Sequence, residues 1–370
     1  MSSVEGRLQA VYQVRCEARA IEERALAIAV EQSVEMPLSA VTDDFVRSEI
    51  VGRVESIAEI AQRRFEVRIS LAAATVGHDP GQLLNMLFGN TSLHDDVTLA
   101  DVAFPPALVA AFGGPRHGLE ALRRRVGAPV RALTCSPLKP QGLPPPKLAE
   151  LAARFARAGI DYIKDDHGLA DQAYSPFAER LAAVTAALRA AERPDGGTAR
   201  YAPSLSGDLD AMRAQLAAAR DAGVDTVLIA PMIVGLSNFY RLVQEHPAVA
   251  FIAHPSMAGA ARIAPAFLLG RLFRLLGADA VVFPNYGGRF GYSPDTCRAL
   301  AQAALDRRDG LRPCVPVPAG GMSTDRVREM LDFYGPDVML LIGGALLEAR
   351  EGLAEAAAAF VASVHGYKYG

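Results

Sequence analysis

Gly159-Ile-Asp-Tyr-Ile-Lys-Asp-Asp-His167 is followed, ten residues on, by Phe177-Ala-Glu-Arg-Leu-Ala-Ala-Val-Thr-Ala-Ala-Leu-Arg-Ala-Ala191. The first stretch is a short apolar run ending in ionisable groups; the second is an amphipathic helical pattern. Together they make one strand-helix unit. Working outward, the unit recurs. Apolar runs occupy Val130–Leu138, Asp161–Asp165, Arg200–Ser206, Val224–Met232, Val249–Ser256, Ala278–Asn285, Cys314–Gly321 and Asp337–Gly344. Helical patterns lie between them at Lys147–Ala158, Phe177–Ala191, Leu209–Ala222, Pro265–Leu276, Pro294–Asp306 and Asp325–Asp332. Strands this apolar, alternating with helices, imply a parallel sheet covered on both faces. Eight units in about 240 residues predict a (β/α)₈ barrel over residues 126–370. An open doubly wound sheet is less favoured, because no GxGxxG follows the first strand.

The first 125 residues differ. Leu8–Cys16 and Arg64–Ala72 alternate as half-exposed strands, and Ala20–Val30 and Gly81–Gly89 read as helices. These predict a small α+β domain of ferredoxin-like type, with Gly113–Gly118 and the basic turn Arg123–Arg125 as linker. Of the 370 residues, 51% are apolar and 21% charged, a globular composition. A net charge of −3 gives no electrostatic case for nucleic acid or an anionic membrane as partner. The chain has no long uncharged apolar run and no signal-like N-terminus, and its four cysteines are scattered. A cytoplasmic protein with core thiols is expected.

In such a barrel, chemistry belongs at the C-terminal strand ends. Lys164-Asp165-Asp166-His167 is the most informative of them. Strand alternation puts Lys164 and Asp166 on one face, towards the mouth, with Asp165 on the other. Asp166 offers an oxygen to a hard divalent ion such as Mg²⁺, and a carbamylated Lys164 would offer another. A solvated loop with a Lys–Asp pair is the plainer alternative. Gly320-Gly321 and Gly343-Gly344 each precede a helix start, which suits a phosphate cradle, although ordinary turns would read the same way. His254 ends an apolar strand at the mouth. Arg289 sits in a glycine-flanked loop that could close over a ligand.

These residues, in this order, resemble the RuBisCO superfamily. The segments that carry the likeness are Glu31-Gln-Ser33, Phe88-Gly-Asn90, Phe104-Pro-Pro106 through Gly114-Pro-Arg-His-Gly118, and Lys139-Pro-Gln-Gly-Leu143. It continues through Gly159–His167, Ser175-Pro-Phe177, His254 and the two glycine pairs. The resemblance implies a ferredoxin-like domain beside a barrel, and a homodimer whose active sites lie at the interface. In it, Glu31 and Asn90 would be contributed by the partner subunit. It further implies Lys164 as the carbamylated lysine, Asp166 as a Mg²⁺ ligand, and His167 in place of a glutamate ligand. His254 would be an active-site histidine, and Gly321, Gly343 and Gly344 would belong to the phosphate loops.

The departures argue against a carboxylase. Pro255 and Val282 stand where that family holds a second phosphate, so one phosphate site remains. Leu138 stands at the base lysine, with Lys139 one step away as a candidate proton donor. Arg289 replaces the mobile-loop lysine, and the two are not interchangeable. A RuBisCO-like protein is therefore expected, acting on a phosphorylated keto sugar or sugar acid through a metal-stabilised enediolate. The activity placed first is 3-oxo-isoapionate 4-phosphate transcarboxylase/hydrolase, since decarboxylation makes less demand on a strong base. The alternatives are the 2,3-diketo-5-methylthiopentyl-1-phosphate enolase or 5-methylthioribulose-1-phosphate isomerase of methionine salvage. A non-catalytic phosphate-sugar-binding relative, or an aldolase using Lys164 as a Schiff base, is a further alternative.

Overall fold

The computed structural model describes residues 5–307 and 309–369. Four antiparallel strands open the chain: β1 (Arg7–Arg15), β2 (Arg53–Ala61), β3 (Arg64–Ala72) and β4 (Val97–Ala103), in the order β2-β3-β1-β4. Leu8, Ala10, Tyr12 and Val14 of β1 are buried on one face. Two helices, Ile21–Glu31 and Pro80–Phe88, bury Ala25, Ile28, Leu83 and Leu87 in the same core. The Tyr12 hydroxyl donates to the Leu87 carbonyl at 2.6 Å. This is the ferredoxin-like arrangement expected, with two strands, β2 and β4, added to those legible in the sequence. β4 is tied to the barrel: Leu99 N–H donates to Arg262 O, and Ala264 N–H to Leu99 O.

Eight parallel strands follow: β5 (Leu133–Leu138), β6 (Tyr162–Asp165), β7 (Arg200–Ala202), β8 (Thr226–Ile229), β9 (Ala250–Ala253), β10 (Ala280–Pro284), β11 (Val315–Ala319) and β12 (Met339–Leu341). They form two ladders, β12-β5-β6-β7 and β8-β9-β10-β11. One seam is joined by the Ser204–Leu228 bridge beyond β7; at the other, β11 packs beside β12. Alternate residues face inward or outward. Cys135, Tyr162, Ala202, Leu228, Ile252 and Val282 fill the interior, while Ile163, Val227, Phe251 and Val281 pack beneath the helices.

Arg123–Arg125 is not a linker turn. It ends the helix Gly118–Arg125, whose Leu119 and Leu122 join the interior cluster and close one end of the barrel. Buried Asp279 anchors that helix by accepting from His117 N–H (2.7 Å) and Gly118 N–H (2.8 Å). A further helix, Leu236–Glu245, lies outside the patterns read from the sequence, and the run read as strand to Met232 ends at Ile229. Pro231 instead opens a short helix, Pro231–Val234. Among the described residues, no helix is long and apolar enough to cross a membrane.

Candidate active site

β6 sets the site by its alternation. Tyr162 faces the barrel interior, and Lys164, two residues on, is in phase with it; only 3% of Lys164 is exposed. Its Nζ donates to Asp165 O at 2.9 Å. Burial lowers the pKa of this amine from its ordinary value. Asp165 points the other way, into a buried polar cluster. Its carboxylate accepts from Arg180 Nε (3.0 Å), the Tyr201 hydroxyl (2.7 Å) and Ser204 N–H (3.0 Å). Two adjacent aspartates thus do different work: one locks the strand end to the helix Phe177–Ala190, and the other faces the mouth.

At the mouth, Asp166 Oδ1 lies 3.1 Å from Lys139 Nζ and 3.2 Å from His167 Nδ1. Burial opposes its ionisation. The His167 hydrogen bond and the charges of Lys164 and Lys139 outweigh burial and hold its pKa well below the carboxylate range. The His167 ring stacks on His254, with centroids 4.2 Å apart and planes 9° from parallel. His254 Nδ1 accepts from Ser256 N–H at 3.2 Å and lies 2.8 Å from Ser256 Oγ. Nδ1 being an acceptor, the ring proton is assigned to Nε2. Burial, reinforced by the charges of Lys164 and His167, pushes His254 down to about 2, so it is a neutral donor near pH 7.

That shift carries a sign. The unfolded chain protonates this histidine near its ordinary pKa of about 6.5, and the fold does not. Stability contributed by the neutral ring is therefore complete above that value and is lost as pH falls towards about 2. Urea unfolding of His254→Gln is expected to show a shallower loss of stability between about pH 6.5 and 4 than the parent. An identical slope would contradict a neutral buried ring.

Lys139, Lys164, Asp166, His167 and His254 thus form one cluster. Beside it opens a cleft of about 280 Å³ between the ends of β6 to β9, to which His167, His254, Ser204, Ser206 and Ser256 contribute. The ends of the third and fourth barrel strands supply much of its wall, and the sequence reading passed over both. Their signal was available, since Ser204 and Ser206 close the run Arg200–Ser206 and Ile233 follows the run Val224–Met232.

Other expected residues lie elsewhere. Neither glycine pair lines this cleft. Gly320 and Gly321 are left-handed, with φ +83° and +105°, and a Cβ on Gly321 would lie 2.8 Å from Arg289 N. Gly343 lies against Pro137, where a Cβ would come within 2.6 Å of the ring. These glycines therefore have packing reasons to be glycine, and their loops border the mouth from the ends of β11 and β12. Arg289 is exposed and does not reach the cluster. Its guanidinium stacks 5.6 Å from the Phe290 ring, and its N–H donates to Gly320 O at 2.8 Å. Glu31 and Asn90 sit apart on the N-terminal domain. There the Asn90 amide bridges Glu31 (2.8 Å) and Glu35 (2.9 Å) beside a separate cavity of about 130 Å³.

Among the described residues, no three Asp, Glu, His or Cys side chains converge to hold a metal. The donors at the mouth are Asp166 and His167, and a third exists only if the buried Lys164 amine becomes a carbamate. The carbamate would add an anionic oxygen donor beside Asp166, and in that modified state the set fits Mg²⁺.

A profile of the ribulose bisphosphate carboxylase large chain, catalytic domain, matches residues 118–368. Over 361 residues the chain is 61% identical to the 5-methylthioribulose-1-phosphate isomerase of Rhodospirillum rubrum, covering 97% of this chain and 96% of that protein. Ribulose bisphosphate carboxylase-like protein 1 of Rhodopseudomonas palustris is 60% identical over 362 residues, covering 97% and 98%. A crystal structure of a Rubisco-like protein from Rhodopseudomonas palustris superimposes with a TM-score of 0.92 at 56% identity, covering 99% of each chain. The chain therefore belongs to the ribulose bisphosphate carboxylase large-chain family, among its RuBisCO-like proteins.

Proposed function

We propose that this protein isomerises a phosphorylated methylthio ketose, with 5-methylthioribulose 1-phosphate as substrate. The observation that carries this reading is the 61% identity, over nearly the full length of both chains, with an isomerase of that name. The transcarboxylase reading placed first on the sequence has no support from these relatives. Its argument from a missing base also weakens, because Lys139 stands at the mouth on Asp166.

Moving a carbonyl to a neighbouring carbon requires a proton to leave the carbon beside it, be held, and return. A carbamate on Lys164 would place anionic oxygens in the mouth to take that proton. The neutral His254 offers Nε2–H to the oxygen that gains charge. Lys139, paired with Asp166, is the candidate to return a proton. Mg²⁺, held by Asp166, His167 and carbamylated Lys164, would act as a Lewis acid on the carbonyl. The glycine loops after β11 and β12 would receive the phosphate, and Glu31 and Asn90 would complete the site from the partner in a homodimer.

Incubating the protein with 5-methylthioribulose 1-phosphate, Mg²⁺ and bicarbonate in D₂O should give an isomeric methylthio sugar phosphate carrying deuterium at carbon, read by NMR. Unchanged substrate under these conditions, with bicarbonate released from 3-oxo-isoapionate 4-phosphate, would overturn the proposal.

A further inference from the structure

We infer that the cleft at the ends of β7 to β9 is the subsite for the substrate's uncharged thioether tail, and that Ile233 at its rim sets the preference for that tail. The inference rests on the isomerase reading for the identity of the ligand, but its physical basis is the wall of the cleft. Leu205, Leu228, Ile229, Ala230, Ile233 and Val234 supply its apolar surface, and among the described residues no arginine, lysine, aspartate or glutamate lines it. A phosphate there would lose its water and meet no lysine or arginine, which disfavours a charged group. Three serines and two histidines give the cleft a polar side suited to sugar hydroxyls.

Placement around the ring agrees. The glycine loops follow the seventh and eighth barrel strands, and the cleft lies at the third to fifth, across the mouth. A ligand with phosphate on the glycine loops and reacting carbons over Lys164 would extend its far end into this cleft. Ile233 is 59% exposed, whereas Leu205 and Ile229 of the same wall are 3% and 1% exposed. An apolar tail seated there covers the isoleucine and gains the contact that a hydroxyl tail does not.

The test compares kcat/KM for 5-methylthioribulose 1-phosphate and for the analogue with a hydroxyl in place of the methylthio group, in the parent and in Ile233→Ser. The parent should prefer the thioether by about tenfold or more, and the variant should lose most of that ratio. Equal use of both substrates by the parent, or an unchanged ratio in the variant, would overturn the assignment. A binding measurement separates this result from failure of the isomerase reading. By calorimetry, 5-(methylthio)pentyl phosphate should bind about tenfold more tightly than 5-hydroxypentyl phosphate even without turnover of either sugar. Equal affinities would sink the subsite alone.

Discussion

Lys164→Met is expected to lower kcat by about 10²–10⁴-fold while leaving the fold intact. The side chain is buried, and its Nζ has a single hydrogen bond, to a backbone carbonyl. Methionine fills similar volume without a buried amine, so unfolding by urea should occur at the parent's midpoint or above it. The variant should also lose Mg²⁺ affinity by calorimetry, because the third donor at the mouth would be gone. Retained turnover would remove Lys164 from the chemistry. Lost turnover with a large fall in stability would mean that the lysine supports the barrel instead.

The converse is expected one residue along. Arg180 and Asp165 are both fully buried, with Nε and Oδ2 3.0 Å apart. Arg180 also donates to Ser175 O at 2.6 Å and to Ala170 O at 2.9 Å. Arg180→Met leaves a buried carboxylate without its counter-charge and two carbonyls without a donor. The expected cost is about 3–5 kcal/mol of unfolding free energy, measured by denaturant titration. Adding Asp165→Asn should recover part of it, since the two residues act as one unit. A loss under about 1 kcal/mol would show that the pair is dispensable. Lys164 and Asp165, the latter through Arg180, thus separate function from stability on opposite faces of a four-residue strand.

The barrel was legible because its strands are buried on both faces and mostly apolar, which leaves runs that stand out in the chain. β2 was not: it is an edge strand, largely exposed, and Arg53-Val-Glu-Ser-Ile-Ala-Glu-Ile-Ala61 shows no apolar face. The helix Leu236–Glu245 buries Leu236, Phe239, Leu242 and Val243, a readable helical spacing. It was masked by extending the preceding strand through Pro231, which in fact opens a helix.

The site divides along similar lines. Lys164 and Asp166 could be placed from alternation alone, because period two fixes which residues share a face. The Arg180–Asp165 pair could not, since it joins a strand end to a helix across a loop whose course the sequence does not encode. Arg289 illustrates the reverse. Glycine flanks suggested reach, yet the guanidinium has settled on its own neighbour, Phe290.

Ser204 and Leu228 stitch one of the two seams between the four-stranded arcs, and both also border the cleft. A molecule lodged there touches both arcs at once, at a seam crossed by two backbone hydrogen bonds, Leu205 N–H to Leu228 O and Leu228 N–H to Pro203 O. Occupancy is thereby coupled to cohesion: the free energy of holding the ligand adds to that of holding the cylinder together.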